Sequence, residues 1–509
     1  MRHSLLDDSL FQIRTPENER EAMTLPQVLA RLPTSNVVSF EALQAHQEQA
    51  WYSFLVQLAT MVVARVTDGT VPETAEEWRN ALLRLAGDNA AAWHLVVEEV
   101  EKPAFLQPPV PEGSLEDAGY KNDVPTPDRL DVLVTSKNHD VKRTRITRAR
   151  PEHWTYALIT LQTMEGFLGR GNYGVIRMNG GFGNRPFVGL APDLTWGGRF
   201  RRDLAVLTSL RDEILDQYPC SDDGRTLLWL EKWDGSKDQA VALENCDPYF
   251  VEVCRRIRLR SEGGDIACWR ANSKGQRVNA SDDLNGVTGD PWTPIDRSDS
   301  KALTLSGAGF TYRRIDEILL GDEYRRPIAM QFQDSEQDGA YLIARTLVRG
   351  QGKTEGLHYR VMPVPPEITA VAMGDTSAWA EITDRSRKRI NTAGEVQNRV
   401  LRPAISELFK KGRDEDVDRE DVEPWLSAFD ETVDDIFFES LWSSFQEGLD
   451  EDEAKQRWTE KLLGLAEEQF EDARKSVPIP TSARWRAVSV AENVFGGTCR
   501  QVLGTAIPS

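Results

Sequence analysis

Val348-Arg349-Gly350-Gln351-Gly352-Lys353-Thr354-Glu355-Gly356-Leu357-His358-Tyr359-Arg360 packs three glycines, a glutamine, a lysine and a threonine into one polar tip. An apolar run at 340–348 reads as the strand that feeds it, and 357–364 leads away from it. Glycine lets a backbone turn sharply and come close to a ligand. Gly352-Lys353-Thr354 imitates the end of a phosphate-binding loop, but that motif needs a glycine six residues before the lysine and a helix after it. Leu347 holds the glycine position, and Glu355-Gly356 followed by Pro363, Pro365 and Pro366 is poor helix material. The spacing therefore argues for a binding tip rather than a nucleotide site.

Just beyond the tip, Met362-Pro363-Val364-Pro365-Pro366-Glu367 reads as a domain boundary, because consecutive prolines break both ladders and helices. The composition then changes. Stretches 377–411, 420–447, 453–475 and 483–503 carry helical periodicity with short turns between them, the pattern of an up-down bundle. Trp425, Phe429, Val433, Ile436, Phe437 and Leu441 fill one face and read as core. The fold class expected is α+β: a large mixed α/β domain over 1–367, then a four-helix bundle over 368–509.

In the first domain, 4–14 reads as a strand pair, and Thr24 with Pro26 opens a helix. Periodicity predicts helices over 40–65, 75–85, 90–100, 154–167, 199–218 and 310–320, and strands over 130–135 and 227–233. Gly169-Arg170-Gly171-Asn172-Tyr173-Gly174 matches a dinucleotide fingerprint letter for letter, but the order is helix, loop, then extended chain. The fingerprint needs strand, loop, helix. What remains is two glycine-rich loops, the second at 179–183, able to approach a backbone or groove closely. Lys274-Gly275-Gln276-Arg277 reads as a hairpin tip with two cations. His139-Asp140 lacks the further histidines and aspartates that a metal-dependent phosphohydrolase needs.

A net charge of −20 argues against a free-standing nucleic-acid binder, whose affinity comes from cations on phosphates. It leaves room for local contact by one subunit of an assembly. Residues 137–150 hold six lysines and arginines against one aspartate, a density that suits phosphate. Residues 414–423 hold seven acids and read as an exposed turn. Five cysteines show no paired spacing, which predicts neither a disulfide framework nor a zinc site and fits a reducing cytoplasm. Asp7 and Asp8 interrupt any apolar core of signal-peptide length, and no apolar run is long enough to span a membrane.

In order and layout the chain resembles the CasA large subunit of Cascade, the type I-E CRISPR surveillance complex. The carriers are Leu5-Leu6-Asp7-Asp8, Phe105-Leu106-Gln107, the loop after Val134, the loop at Gly169 to Gly174, and Gly350-Gln351-Gly352-Lys353-Thr354-Glu355-Gly356. The resemblance implies a subunit without catalytic site, cofactor or metal. It implies recognition of the protospacer-adjacent motif on double-stranded DNA from the minor groove, by a glycine loop, a lysine finger and a glutamine wedge. The glycine loop would be Gly169, Arg170, Gly171 and Asn172. The wedge would be Gln351, with Gly352, Lys353 and Thr354 beside it. The finger would be Lys274 or Arg277. Thr135, Ser136, Lys137, Asn138 and His139, with the basic Lys142, Arg143 and Arg145, would seat the subunit on the guide crRNA and the backbone proteins. The bundle would lie along the displaced strand and the small helical subunits, and the whole would dock a helicase-nuclease. One departure stands out: some relatives carry a close cysteine cluster near the finger, and Cys254 and Cys268 are too far apart to repeat it.

These expectations suit the physics of an RNA-guided effector, which delegates sequence to base pairing and reads only a short motif itself. The minor groove is narrow and its code degenerate, so glycine backbone and thin side chains are the fitting tools. Two other classes compete. A nucleotide-dependent enzyme on Gly352-Lys353-Thr354 would need an aspartate-ended apolar strand for Mg²⁺, and none is convincingly placed. A protein scaffold acting only through the bundle would need neither the glycine loops nor the cationic tips.

Overall fold

The computed structural model describes all residues except 1, 112, 131–145, 147, 179–183, 351–352, 411–415 and 507–509. The chain forms two compact units. One comprises Met1–Phe310 and Asp322–Pro363; the other comprises Thr311–Gly321 and Val364–Ser509.

The first unit is built around the Glu48–Arg65 helix, in which every side chain from Gln49 to Val63 is buried. A helix apolar on nearly all sides has to be covered on all sides. Trp51 stacks on Phe11 (5.1 Å between ring centres) and on Phe54 (5.9 Å). The two amides on this helix are put to use: Gln49 donates to the Arg185 carbonyl at 2.7 Å, and Gln57 to those of Tyr249 and Phe250. The helix starts eight residues later than periodicity predicts, because Phe40 belongs to a short strand, Ser39–Phe40, paired with Phe11–Arg14. The other partner of Phe11–Arg14 is Arg20–Met23. Thr24 and Gln27 form a capping box that opens Leu25–Arg31, and Thr74 with Glu77 does the same for Ala75–Leu85.

Several expected elements differ. The helix over 90–100 is a single turn, Ala90–Trp93. Beyond it, the Leu95 and Val96 N–H groups bond to the carbonyls of His3 and Arg2, so long-range pairing replaces the helical ladder. The helix over 199–218 is two, Trp196–Ser209 and Arg211–Gln217, and Arg211 turns to pair with Asp222 and Asp247. The strand expected at 227–233 ends early, as Arg225–Leu227 gives way to a 3₁₀ turn, Leu228–Leu230. Leu130 closes a helical turn, Pro127–Leu130, and the rest of the strand expected at 130–135 lies outside the described residues.

The opening stretch does form a hairpin: Ala340–Gly350 and Lys353–Val364 are hydrogen-bonded neighbours, and Phe187–Ala191 pairs antiparallel on the far side of the first. Lys353 begins a strand, so the helix of a phosphate-binding loop is not there.

In the second unit, Arg419–Gln446, Glu451–Ser476 and Thr481–Ala506 follow the predicted helices. The first predicted helix is interrupted. Thr376–Glu395 passes through a wider π turn, Val396–Leu401, into Arg402–Phe409. Pro403 lacks the N–H that would continue the α ladder there. The helix Tyr312–Leu319 also belongs to this unit, although the sequence reading places it in the first domain. Its Tyr312 ring lies 4.8 Å from Phe437, and the hydroxyl donates to Asp430 at 2.9 Å. The Ser386 hydroxyl donates to Asp316 in the same helix. Periodicity shows that such a helix has an apolar face but not which body covers it. Among the described residues, no helix is long and apolar enough to cross a membrane.

Tyr312→Ala should therefore destabilise the helical unit by about 3–5 kcal/mol, the cost of emptying a buried aromatic site. Tyr312→Phe should cost only about 0.5–1.5 kcal/mol, the worth of one hydrogen bond. Urea unfolding followed by circular dichroism measures both; equal losses would mean that the ring contributes nothing by packing.

Candidate nucleic-acid interface

The glycine loop begins where the Pro151–Met164 helix stops. Leu168 N–H donates to the Asn172 carbonyl at 2.9 Å, and Asn172 N–H to that of Gly169 at 3.0 Å. This closure puts Gly169 at φ +96° and Gly171 at φ +91°, backbone that side chains rarely tolerate. At Gly174 the two legs of the loop touch: a Cβ there would stand 2.6 Å from the Gly166 backbone. The letters that imitate a dinucleotide fingerprint are thus demanded by the loop's own geometry.

Arg255 clamps the legs together. Its guanidinium donates to the carbonyls of Gly166 (2.8 Å) and Tyr173. The backbone of Arg255 is in turn held by Gln162, whose amide oxygen accepts the Cys254 and Arg255 N–H groups at 2.8 Å. Sequence reasoning missed Arg255 and Gln162. Neither stands in a motif, and only the approach of segments 93 residues apart gives them their roles.

Two more predicted pieces converge on the loop. The Ser273 N–H donates to the Gly171 carbonyl at 3.1 Å, so the exposed Lys274 is next in the chain to a loop contact. At the loop's base, Glu165 pairs with Arg349 at 3.1 Å, both nearly fully buried. Arg349 is the penultimate residue of the strand leading into the tip. Glycine loop, Lys274 and hairpin root are therefore joined by direct contacts. Arg170 stands exposed on the loop. Lys353 is half-exposed and paired with Glu355 at 2.7 Å, a surface pair that costs little to exchange for another anion. Thr354 is partly buried beside it.

Arg277 does not fit the role considered for it. It is 2% exposed and donates to the carbonyls of Gln239 and Glu231, with its charge near the Trp233 ring. Burial lowers its pKa to about 10. The segment 274–277 is also not a hairpin tip, because Val278–Asn279 pairs in parallel with Val241–Ala242. Of the two cations, Lys274 alone reaches solvent. Gln351 and Gly352 lie outside the described residues, as do Thr135, Ser136, Lys137, Asn138, His139, Lys142, Arg143, Arg145 and the second glycine loop. All five cysteines are free thiols. Among the described residues, no group of three or more His, Cys, Asp or Glu side chains could hold a metal ion.

These contacts define an α+β protein that presents a glycine-walled, cation-bearing corner on rigid supports. A family model described as CRISPR-associated protein Cse1 matches residues 4–476, and the chain belongs to that family. Cse1 from Acidimicrobium ferrooxidans is 15% identical with a TM-score of 0.62, over 100% of this chain and 99% of its own. Cse1 from Thermobifida fusca is 13% identical with a TM-score of 0.66, over 99% of this chain and 98% of its own. A chain of a CRISPR RNA-guided surveillance complex is 14% identical with a TM-score of 0.63, over 98% of this chain and 99% of its own. At these identities the likeness is one of fold. No curated protein matches the chain in sequence.

Glu252, under the far leg of the loop, accepts the Ile176 N–H at 2.8 Å and faces Arg177 at 3.7 Å. Burial outweighs the arginine and pushes its carboxyl from 4.5 up to about 7. The folded state thus holds this proton more tightly than the unfolded state does. Its contribution to stability is complete below pH 4.5 and is lost as pH rises through about 7. Glu252→Gln should melt together with the wild type at pH 4. At pH 8 it should be the more stable of the two, by on the order of 3 kcal/mol. A difference that does not change with pH would remove Glu252 as the titrating group.

Proposed function

We propose that this protein is the non-catalytic large subunit of an RNA-guided CRISPR surveillance complex, Cascade, acting in the cytoplasm. In this reading it recognises the protospacer-adjacent motif on double-stranded DNA, starts strand separation for R-loop formation and helps recruit the helicase-nuclease. The single observation that carries it is the joining of three sequence-distant pieces. Gly171 accepts from Ser273 beside Lys274, and Glu165 beneath the loop pairs with Arg349 at the root of the tip. A corner with two glycines in its wall, the exposed Arg170 between them and lysines at its edge suits a narrow groove lined by phosphate. Membership of the Cse1 family supports the same role, as does the related chain within a CRISPR RNA-guided surveillance complex.

Within this reading Gly169, Arg170, Gly171 and Asn172 form the groove-facing wall, Lys274 is the finger, and Gln351 is the wedge. Gly352, Lys353 and Thr354 support the wedge. Residues 135–145 seat the subunit on the guide RNA and the backbone proteins, and the helical unit meets the small subunits and the displaced strand. Separating a first base step costs a few kcal/mol, which an inserted side chain and new contacts offset. Guide pairing is then a near-balanced exchange, so the first step sets the rate.

The test compares duplex DNA with DNA already unpaired beside the motif, at one salt concentration, on the reconstituted complex. Gln351→Ala should slow opening of the duplex and matter little on the pre-opened target. Lys353→Ala should weaken binding to both, because a phosphate contact is useful before and after opening. Equal losses for Gln351→Ala on the two targets would rule out wedging.

Gly169→Asp gives a second check. A Cβ at Gly169 would meet nothing within 4 Å, but φ +96° strains any side chain there, so the effect is read against Gly169→Ala, which carries the same strain without the charge. Like charge against phosphate should cut target binding while assembly with guide RNA stays intact. Loss of assembly, or unchanged target binding, would leave the loop a structural element only.

A further inference from the structure

The helical unit carries a cleft of about 270 Å³ between the Thr376–Glu395 and Glu451–Ser476 helices. Arg389 and Trp458 are its most buried lining residues, and the other charged residues that line it are Arg385, Lys388, Glu451 and Lys455. Four of its lining residues are cations and one is an acid, with Glu381 and Asp384 reaching two of those cations from outside the lining.

Arg389 is the informative member. It is 4% exposed. One terminal nitrogen donates to the Ser440 hydroxyl at 3.2 Å, and the guanidinium lies 5.2 Å from the Trp458 ring centre. Its Nε has no hydrogen-bond partner. Burial, and after it the like charge of Arg385, lowers its pKa to about 10. Nearby acids are already engaged. Arg385 takes Glu381 at 3.1 Å and reaches the Ser444 and Leu449 carbonyls, while Lys388 bridges Asp384 and Glu451. A buried charge normally has an opposite charge beside it, since leaving one unpaired is expensive. A buried donor without a partner likewise calls for an explanation.

We propose that this cleft binds a phosphate group, with Arg389 as the deep donor and Arg385 and Lys388 at its sides. Phosphate fits better than a carboxylate because it carries more than one negative charge and accepts several donors, which is what an arginine pair with a lysine supplies. The space accommodates a phosphate with a small organic group attached and is below the range of drug-sized pockets. The phosphate could arrive on a free nucleotide or on a nucleic-acid backbone; the chemistry is the same. The site lies wholly in the helical unit and does not depend on motif recognition by the other one.

The experiment is calorimetry on the full-length chain with inorganic phosphate, a nucleoside monophosphate and a short single-stranded DNA, at constant ionic strength. Saturable binding of at least one is expected. Arg389→Gln should weaken it by about ten-fold or more, as for a lost hydrogen bond to a charged group. Binding by the small probes points to a free nucleotide, and binding by DNA alone points to a polymer backbone. No saturable binding, or unchanged affinity in Arg389→Gln, overturns the proposal. If Arg389→Gln does not fold, Lys388→Glu on the exposed rim decides. Reversing that charge should lower affinity, and an unchanged value overturns the proposal.

Discussion

The buried amide of Gln162 holds together the part of the molecule on which the candidate interface depends. Its nitrogen donates to the carbonyls of Leu106 and Arg255, each at 2.9 Å. Its oxygen accepts from Cys254 and Arg255, each at 2.8 Å. That is the full capacity of a side-chain amide, two donors and two lone pairs. Removing it would take that partner away from four buried backbone groups, each costly to leave unpaired. Gln107 makes a matching link, to the Leu95 and Phe105 carbonyls and the Leu259 N–H. Through Gln162, a helix position decides where Arg255 stands, and Arg255 decides the spacing of the glycine loop's legs.

The cations divide by chemistry. Arg177, Arg255, Arg258 and Arg277 are buried and direct terminal nitrogens to carbonyls or to a carboxylate, while the Nε of each has no partner, as at Arg389. Lys274 and Lys353 reach solvent at the edges of the corner. A chain of net charge −20 thus keeps many positive charges inside as structural pins. The few that face outward near the loop act locally, and distant repulsion from the acidic surface is screened within about 10 Å at ordinary salt.

Much of the fold was legible in the sequence because the signals are local. Capping boxes at Thr24 and Thr74, heavy apolar content at 48–65, prolines at 363–366 and helical periodicity beyond them all act within a few residues. Failures came where a long-range partner prevailed. Residues 95–96 leave the expected helix to bond with the first residues of the chain, and the helix expected to run through Leu210 divides there as Arg211 turns to Asp222 and Asp247. For the candidate interface, the glycine pattern marked the loop, but four letters could not tell an exposed lysine from a buried arginine at 274–277.

By itself the sequence determined the class of the chain, its helical C-terminal region, its hairpin and the loop that only glycine can make. Backbone preference and hydrophobic period are written residue by residue, so they can be read that way. Only the tertiary structure decided that Tyr312–Leu319 packs with the helical unit, that Arg277 is a pin, and that Gly171, Ser273, Glu165 and Arg349 meet. Those outcomes depend on which groups meet across 38 residues or more of chain, and no local pattern encodes that pairing.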